Sequence, residues 1–246
     1  MRIALTCIAL LISTTISTTT EAHSSGCRLT VVVDGVERPE YSANGSKYIE
    51  ALRGRNYSLR LTNPTPHRVA AALSVDGLNT IDAKHTDPWR AAKWLLEPYE
   101  SIDIEGWQVS DSTARRFFFT GERSSYGAAL GQTQNLGVIE VVFYRERVRD
   151  REITQGLERQ REAASAPAPG AMSMPDDYAA TGMGGRTDHG VVRVDVDLDP
   201  RPIASARIRY EFRPQLVKLG VIPRDRAPLE RREKARGFER YCPEPD

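Results

Sequence analysis

The 246-residue chain is short of the residues that most catalytic and metal chemistry needs. Its four histidines, His23, His67, His85 and His189, include no His-x-x-x-His pair and none beside a cysteine, so a zinc site lacks its ligand pattern. There is no Gly-x-Ser-x-Gly, the mark of a nucleophile on a strand-to-helix turn. The one glycine-rich run, Thr181-Gly182-Met183-Gly184-Gly185, carries no lysine where a phosphate loop needs one, and no cofactor motif stands elsewhere. A charge surplus is missing too. Thirty-four Lys and Arg face 33 Asp and Glu, a net charge of +1, which excludes the basic excess of a nucleic-acid binder.

Cysteine is equally sparse, at three residues. Cys7 lies in a leader-like start: Arg2 is a minimal positive region, Ile3 to Ile12 are mostly apolar, and a Ser/Thr-rich stretch ends at Ala22. This pattern predicts a secretory signal peptide over residues 1–22, too short for a membrane span. The alternative is an uncleaved anchor. Cleavage predicts an exported protein, periplasmic or extracellular, with no membrane span left in the mature chain. Cys27 and Cys242 then remain, and an exported context suggests a disulfide between them, closing nearly the whole chain. Two free thiols, or a lipidated Cys27, are the alternatives.

What the sequence has in quantity is alternation. Arg28–Val33 predicts a first strand turned by Asp34-Gly35, and Asn44-Gly45 marks a second turn. Tyr57, Leu59 and Leu61 alternate with polar residues, as in a half-buried strand. Val69, Ala71, Leu73 and Val75 share one face of the next strand, and Ala70, Ala72 and Ser74 share the other. The small second face predicts a central strand closely approached by another layer. Asp76-Gly77 turns it, and Asp76 is expected to cap its own turn. Asp87-Pro88-Trp89 predicts the start of a helix of at most two turns, ended by Pro98. Ala114–Thr120 and Val138–Tyr144 predict two more strands. The expected fold class is mainly β: an antiparallel β-sandwich over residues 27–147 with one or two short helices.

Composition changes after Tyr144. Residues 148–188, charged and then rich in Ala, Pro, Gly and Met, predict a charged, flexible linker. Order is expected to resume at 189–222 as a β-hairpin plus short helix, docked on the sandwich. Val192–Leu198 would pair with Ala204–Phe212, bringing Asp197 near Arg207, Asp195 near Arg209 and Arg193 near Glu211. Asp195, Asp197 and Asp199 share a face, but they lack the Gly and Glu of a calcium loop and suit arginine pairing better. Pro214–Leu219 predicts the helix, with Gly220 at its C-cap. Residues 223–246 form a mildly basic tail.

Candidate binding residues cluster around the tryptophans. Trp94 and Trp107 are expected in the core, while Trp89 is open to a surface role beside Lys84 and His85. A second aromatic-polar cluster holds Arg115, Arg116 and Tyr126. Strand alternation puts Arg115 and Arg116 on opposite faces, so one is expected to lie inside, paired with Asp76, Asp82 or Asp103. No catalytic or metal-ligating set is identified.

The stretches SVDGLNTIDAK, EGWQVSDSTARRFFFT, SSYGAALG and NLGVIEVVFY resemble a group of uncharacterised exported bacterial β-rich proteins. The resemblance covers residues 28–147, with a looser similarity in IRYEFRPQLVKLGVIP. It implies export, a bacterial source and a domain without evident enzymatic features, and it brings no cofactor or site residue. Together these readings lead to an exported, non-enzymatic binding or interaction protein of the bacterial envelope, with an unidentified protein or glycan partner. The alternatives are an envelope glycan hydrolase using carboxylates near Asp76 and Asp82, and a structural subunit of a surface assembly.

Overall fold

The computed structural model describes residues 26–147 and 177–224. The expected signal peptide, Cys242, most of the charged stretch after Arg147 and residues 225–246 lie outside the described residues. Strands dominate, and two seven-stranded sheets pack face to face with two short helices at their margins, a mainly β, sandwich-like arrangement.

The first sheet holds β1 (Arg28–Val33), β2 (Val36–Glu37), β5 (Asn56–Thr62), β9 (Ser101–Ile104), β10 (Gly106–Gln108), β11 (Thr113–Gly121) and β13 (Ala179–Asp188). The second holds β3 (Tyr41–Ala43), β4 (Ser46–Ala51), β6 (Val69–Val75), β7 (Leu78–Asn79), β8 (Trp94–Leu96), β12 (Val138–Glu146) and β14 (Leu198–Phe212). Three two-residue turns join hairpins: Asp34-Gly35, Asn44-Gly45 and Asp76-Gly77. Each has positive φ at both residues, the mirror-image turn that matches strand twist and that Asn-Gly and Asp-Gly favour.

Period-two patterning explains the core. Leu59 and Leu61 of β5, Leu73 and Val75 of β6, Ile139, Val141 and Phe143 of β12, and Phe117 and Phe119 of β11 are all at most 1 % exposed. Phe119 reaches across to Tyr210 of β14 with ring centroids 5.4 Å apart, and it stacks on Tyr57 at 4.2 Å. Trp107 and Trp94 are buried as their hydrophobicity predicts. Trp107 packs edge-on to Phe117, and the Trp94 indole N–H donates to Thr80 Oγ1 at 2.9 Å.

Three expectations are corrected. The predicted hairpin of 189–222 does not form. Residues 191–197 are not strand, and β14 instead lies between β12, antiparallel, and β4, parallel. The charge pairs counted on for that hairpin are worth tenths of a kcal/mol. Alignment along nine-residue β12 offers a long backbone ladder, and Arg207 pairs with Glu140 of β12 at 2.9 Å instead of with Asp197. The segment is therefore an integral strand, not a docked module.

The stretch assigned to a flexible linker ends in β13, ten residues paired with β11. Its small residues look like a linker by composition, but they are what the packing requires. Phe118 lies across Gly182, where a Cβ would come within 2.3 Å of its ring. Strand formation here follows from the neighbour, not from intrinsic propensity.

The expected helix at Asp87 is a single turn. The Asp87 carboxylate accepts the Trp89 N–H at 2.9 Å, and its carbonyl accepts from Arg90 and Ala91. The chain then enters β8, which pairs with Val69–Ala71 of β6. The two helices are α1 (Tyr126–Ala129), capped by Ser125, and α2 (Arg213–Lys218), with Pro214 in its first turn and Gly220 at φ +70° beyond its end, as expected. Among the described residues no helix is long and apolar enough to cross a membrane.

Candidate functional site

Two features stand out, one inside the sandwich and one on its outer surface, and the β6–β7 turn belongs to both. Inside, Asp76 is 2 % exposed and sits at φ +52°, a conformation Asp tolerates better than most residues. Its carboxylate accepts from the Gly137 N–H and the Thr181 N–H, both at 2.8 Å, and from the Tyr210 hydroxyl. Tyr210 Oη is 2.6 Å from Thr181 Oγ1, which is 2.7 Å from Tyr57 Oη.

An ionised carboxylate only accepts, so it orients this chain in one direction. Tyr57 donates to Thr181, Thr181 to Tyr210, and Tyr210 to Asp76. The chain runs from β5 and β13 of the first sheet to β14 and the end of β6 in the second, and its Thr181–Tyr210 link ties one layer to the other. The expectation that Asp76 caps its own turn is thereby corrected: its side chain serves three distant segments.

Burial pushes the Asp76 carboxyl up to about 7, against the pull of its hydrogen bonds with Tyr210, Thr181 and Gly137. Burial, followed by the nearby Asp76 charge, raises both tyrosines well above the usual range. Neighbouring Glu211 accepts from the Ala179 N–H at 3.2 Å and is raised by burial. Along the edge of β13 away from β11, which pairs with no other strand among the described residues, Asp76 and Glu211 therefore occupy backbone N–H groups with carboxylates.

On the outer face of the second sheet, the small side of β6 has the role of a groove floor. Ala72 and Ser74 lie beside Val142 and Glu140 of β12, and Glu140 lies beside Arg207 of β14. One wall is the loop from Lys84 to Ala91, and the other is Gln134–Leu136. The groove has a volume of about 480 Å³, within the range of small-molecule sites. Of the close layer expected over the small face of β6, the structure shows Ala91 of this loop packed against Ala72. Trp89 packs edge-on against Tyr144 at 5.3 Å, and Lys93 Nζ lies over both rings while donating to the Trp89 and Ala91 carbonyls at 2.6 and 2.8 Å.

Both walls are anchored at the Asp76-Gly77 turn. The Gly77 carbonyl receives the Nδ1–H of His85 at 2.9 Å, which fixes the tautomer because a carbonyl can only accept. Asn135 packs so close to Gly77 that a Cβ there would lie 2.8 Å away. Gly137, just after the second wall, is held by Asp76 itself. The buried network thus positions the groove without entering it.

The predicted binding residues separate into three places. Lys84 and His85 line the groove. Trp89 is 40 % exposed but anchors the wall loop. Arg115, Arg116 and Tyr126 belong to the other sheet's end of the molecule. Arg116 is exposed with Nε 4.0 Å from Glu105, Arg115 is half-buried, and Tyr126 leans on Trp107 at 5.0 Å. The carboxylates proposed to partner an inward arginine are engaged elsewhere. Asp103 binds Arg60 in a two-pronged pair at 2.8 and 2.9 Å, Asp82 caps the Lys84 N–H at 3.1 Å, and Asp76 is in the core. A bulge between Arg115 and Phe117 also breaks the simple alternation on which the inward placement relied.

Sequence reasoning missed Ser74, Gln134, Asn135, Glu140, Arg207 and Arg209 as groove residues. Only the alternating arginines of β14 carried a signal, and it was spent on the hairpin. Among the described residues no group of three or more His, Cys, Asp or Glu is placed to hold a metal ion. Comparison with known protein families, curated proteins and solved structures finds no match to the chain.

Proposed function

We propose that this chain is an exported binding protein of the bacterial envelope, periplasmic or extracellular, whose ligand seats in the groove between the Lys84–Ala91 loop and Gln134–Leu136. The groove is the observation that carries the reading. It combines an apolar floor at Ala72 and Val142 with polar groups from the β6–β7 hairpin, both wall loops, β12 and β14, the usual make-up of a ligand site. Export rests on the leader-like residues 1–22, and the bacterial source on the resemblance described above. The glycan-hydrolase alternative is weakened because Asp76 is sealed in the core and Asp82 holds its own turn, so neither is free to meet a sugar.

The test is a groove-filling substitution. Wild-type protein and Ser74→Tyr, each immobilised, are exposed to envelope extract from the producing cells, and retained species are identified by mass spectrometry. The expected result is a species retained by wild type, lost with Ser74→Tyr, and kept by a Val36→Tyr control on the first sheet. Equal retention by the groove-filled protein would remove the groove from the function.

A further inference from the structure

We infer that the groove recognises a single carboxylate, with Arg209 as its principal contact. This rests on the reading of the groove as the ligand seat and adds the chemistry of what sits there.

The acidic groups are already occupied. Glu140 Oε1 takes the Arg207 guanidinium at 2.9 Å, and Asp87 Oδ1 takes the Trp89 N–H at 2.9 Å. One cation in the groove is not. Arg209 lines the groove, is exposed, and has no ion pair or side-chain hydrogen bond among the described residues. Lys84 reaches only its own neighbour Asp82, at 3.9 Å. His85 commits Nδ1 to the Gly77 carbonyl, leaving Nε2 outside that bond. Around the groove Arg207 is matched by Glu140, Lys84 by Asp82 and Lys93 by the Asp87 charge, so among the described residues there Arg209 is the positive charge left to be neutralised.

That balance selects the ligand class. A guanidinium presents a planar pair of donors that fits a carboxylate in two-pronged fashion. A doubly charged phosphate would add a second negative charge beside Glu140 and Asp87, and like charges at close range oppose it. Ala72, Val142 and Ala91 suit a small apolar body, and the Gln134 and Asn135 amides suit a peptide-like or hydroxyl group next to it. The ligand is therefore a monocarboxylate on a compact body carrying at least one further hydrogen-bonding group.

The experiment is an NMR titration of the isotope-labelled full mature chain with N-acetyl-leucine, with its neutral amide, and with inorganic phosphate. The acid is expected to give saturable shifts at the Arg209 side chain and at the Gln134 and Asn135 amides. The neutral amide and phosphate are each expected to bind at least about tenfold more weakly, the scale of one lost charge-assisted contact. Arg209→Gln should weaken the acid by a similar factor and leave the amide unchanged. Arg60→Gln, on the opposite sheet, should change neither. Equal affinity for acid and amide, with shifts still in the groove, would overturn the carboxylate and leave the groove standing. Tighter phosphate binding would overturn it in favour of a dianion. Shifts confined to other surfaces, or none at millimolar acid, would overturn the proposal, and the groove-filling experiment then judges the groove separately.

Discussion

Replacing Asp76 with Asn is the most informative perturbation of this fold. Burial raises the carboxyl from 3.8 to about 7, with the hydrogen bonds only partly opposing it. A raised carboxyl means that the folded state holds its proton more tightly than the unfolded chain does. Its stabilising effect is fully present below about pH 4. It is lost as pH rises toward 7, because the unfolded state ionises first. At about 1.36 kcal/mol per unit, the shift corresponds to a loss of roughly 4 kcal/mol between pH 4 and pH 8.

The network can absorb the proton. With the proton on Oδ1, the three hydroxyls rotate, and Asp76 donates to Tyr210, Tyr210 to Thr181 and Thr181 to Tyr57, with every heavy atom in place. Asn at 76 keeps the positive-φ turn but cannot titrate, and its amide N–H₂ would meet the Thr181 N–H donor to donor. It should cost about 1–3 kcal/mol at acid pH, the penalty for an unsatisfied buried group. Urea denaturation followed by tryptophan fluorescence, at steps from pH 4 to pH 8, measures both effects. The stability difference between wild type and Asp76→Asn should fall by roughly 4 kcal/mol across that range, turning the acid-pH advantage of wild type into a deficit near pH 8. Glu211 and Glu122, also raised by burial, are present in both proteins and cancel in the difference. A difference that stays constant with pH would mean that the hydrogen bonds hold Asp76 ionised throughout, and the argument from burial would be refuted.

Other substitutions test neighbouring parts of the account. Tyr210→Phe removes the middle link, leaving Thr181 Oγ1 without its acceptor and Asp76 short of one donor. A loss of about 1–3 kcal/mol by chemical denaturation is expected, and an unchanged midpoint would show that the hydroxyl chain carries no stability. Gly182→Ala forces a Cβ into the Phe118 ring and should cost about 1–3 kcal/mol. Much of that loss should be recovered in the Phe118→Ala, Gly182→Ala double variant, and an additive double variant would argue against the contact. Arg60→Gln removes a well-formed but exposed pair with Asp103 and should cost less than about 1 kcal/mol. A larger loss by the same assay would mean that the outer face of the first sheet is more tightly organised than its exposure implies.

Local signals made the first half of the fold legible. Asp34-Gly35, Asn44-Gly45 and Asp76-Gly77 announce their turns, and Leu59, Leu61, Leu73 and Val75 announce their buried face, because both depend on residues within a few positions. Strand β13 was not legible, since Gly182 and Gly184 have no strand preference of their own and acquire order only against Arg116 and Phe118. The partner of β14 was missed for a similar reason. Its alternation with Val192–Leu198 is real, but β12 and β4 are distant in sequence and no local pattern identifies them. The site was legible only at Lys84 and His85. Arg209 and Gln134 become neighbours through strand order, and the partners of Asp76 through the packing of one sheet on the other.

The proposed groove places function on the outer face of the second sheet. Its most direct test is a photo-crosslinking amino acid placed in the protein in its native cells, at Gln134 in the groove wall and, separately, at Ser58 on the first sheet. The account predicts a defined adduct from position 134 that is abolished by Ser74→Tyr, and none from position 58. A defined adduct from position 58 with none from position 134 would contradict it.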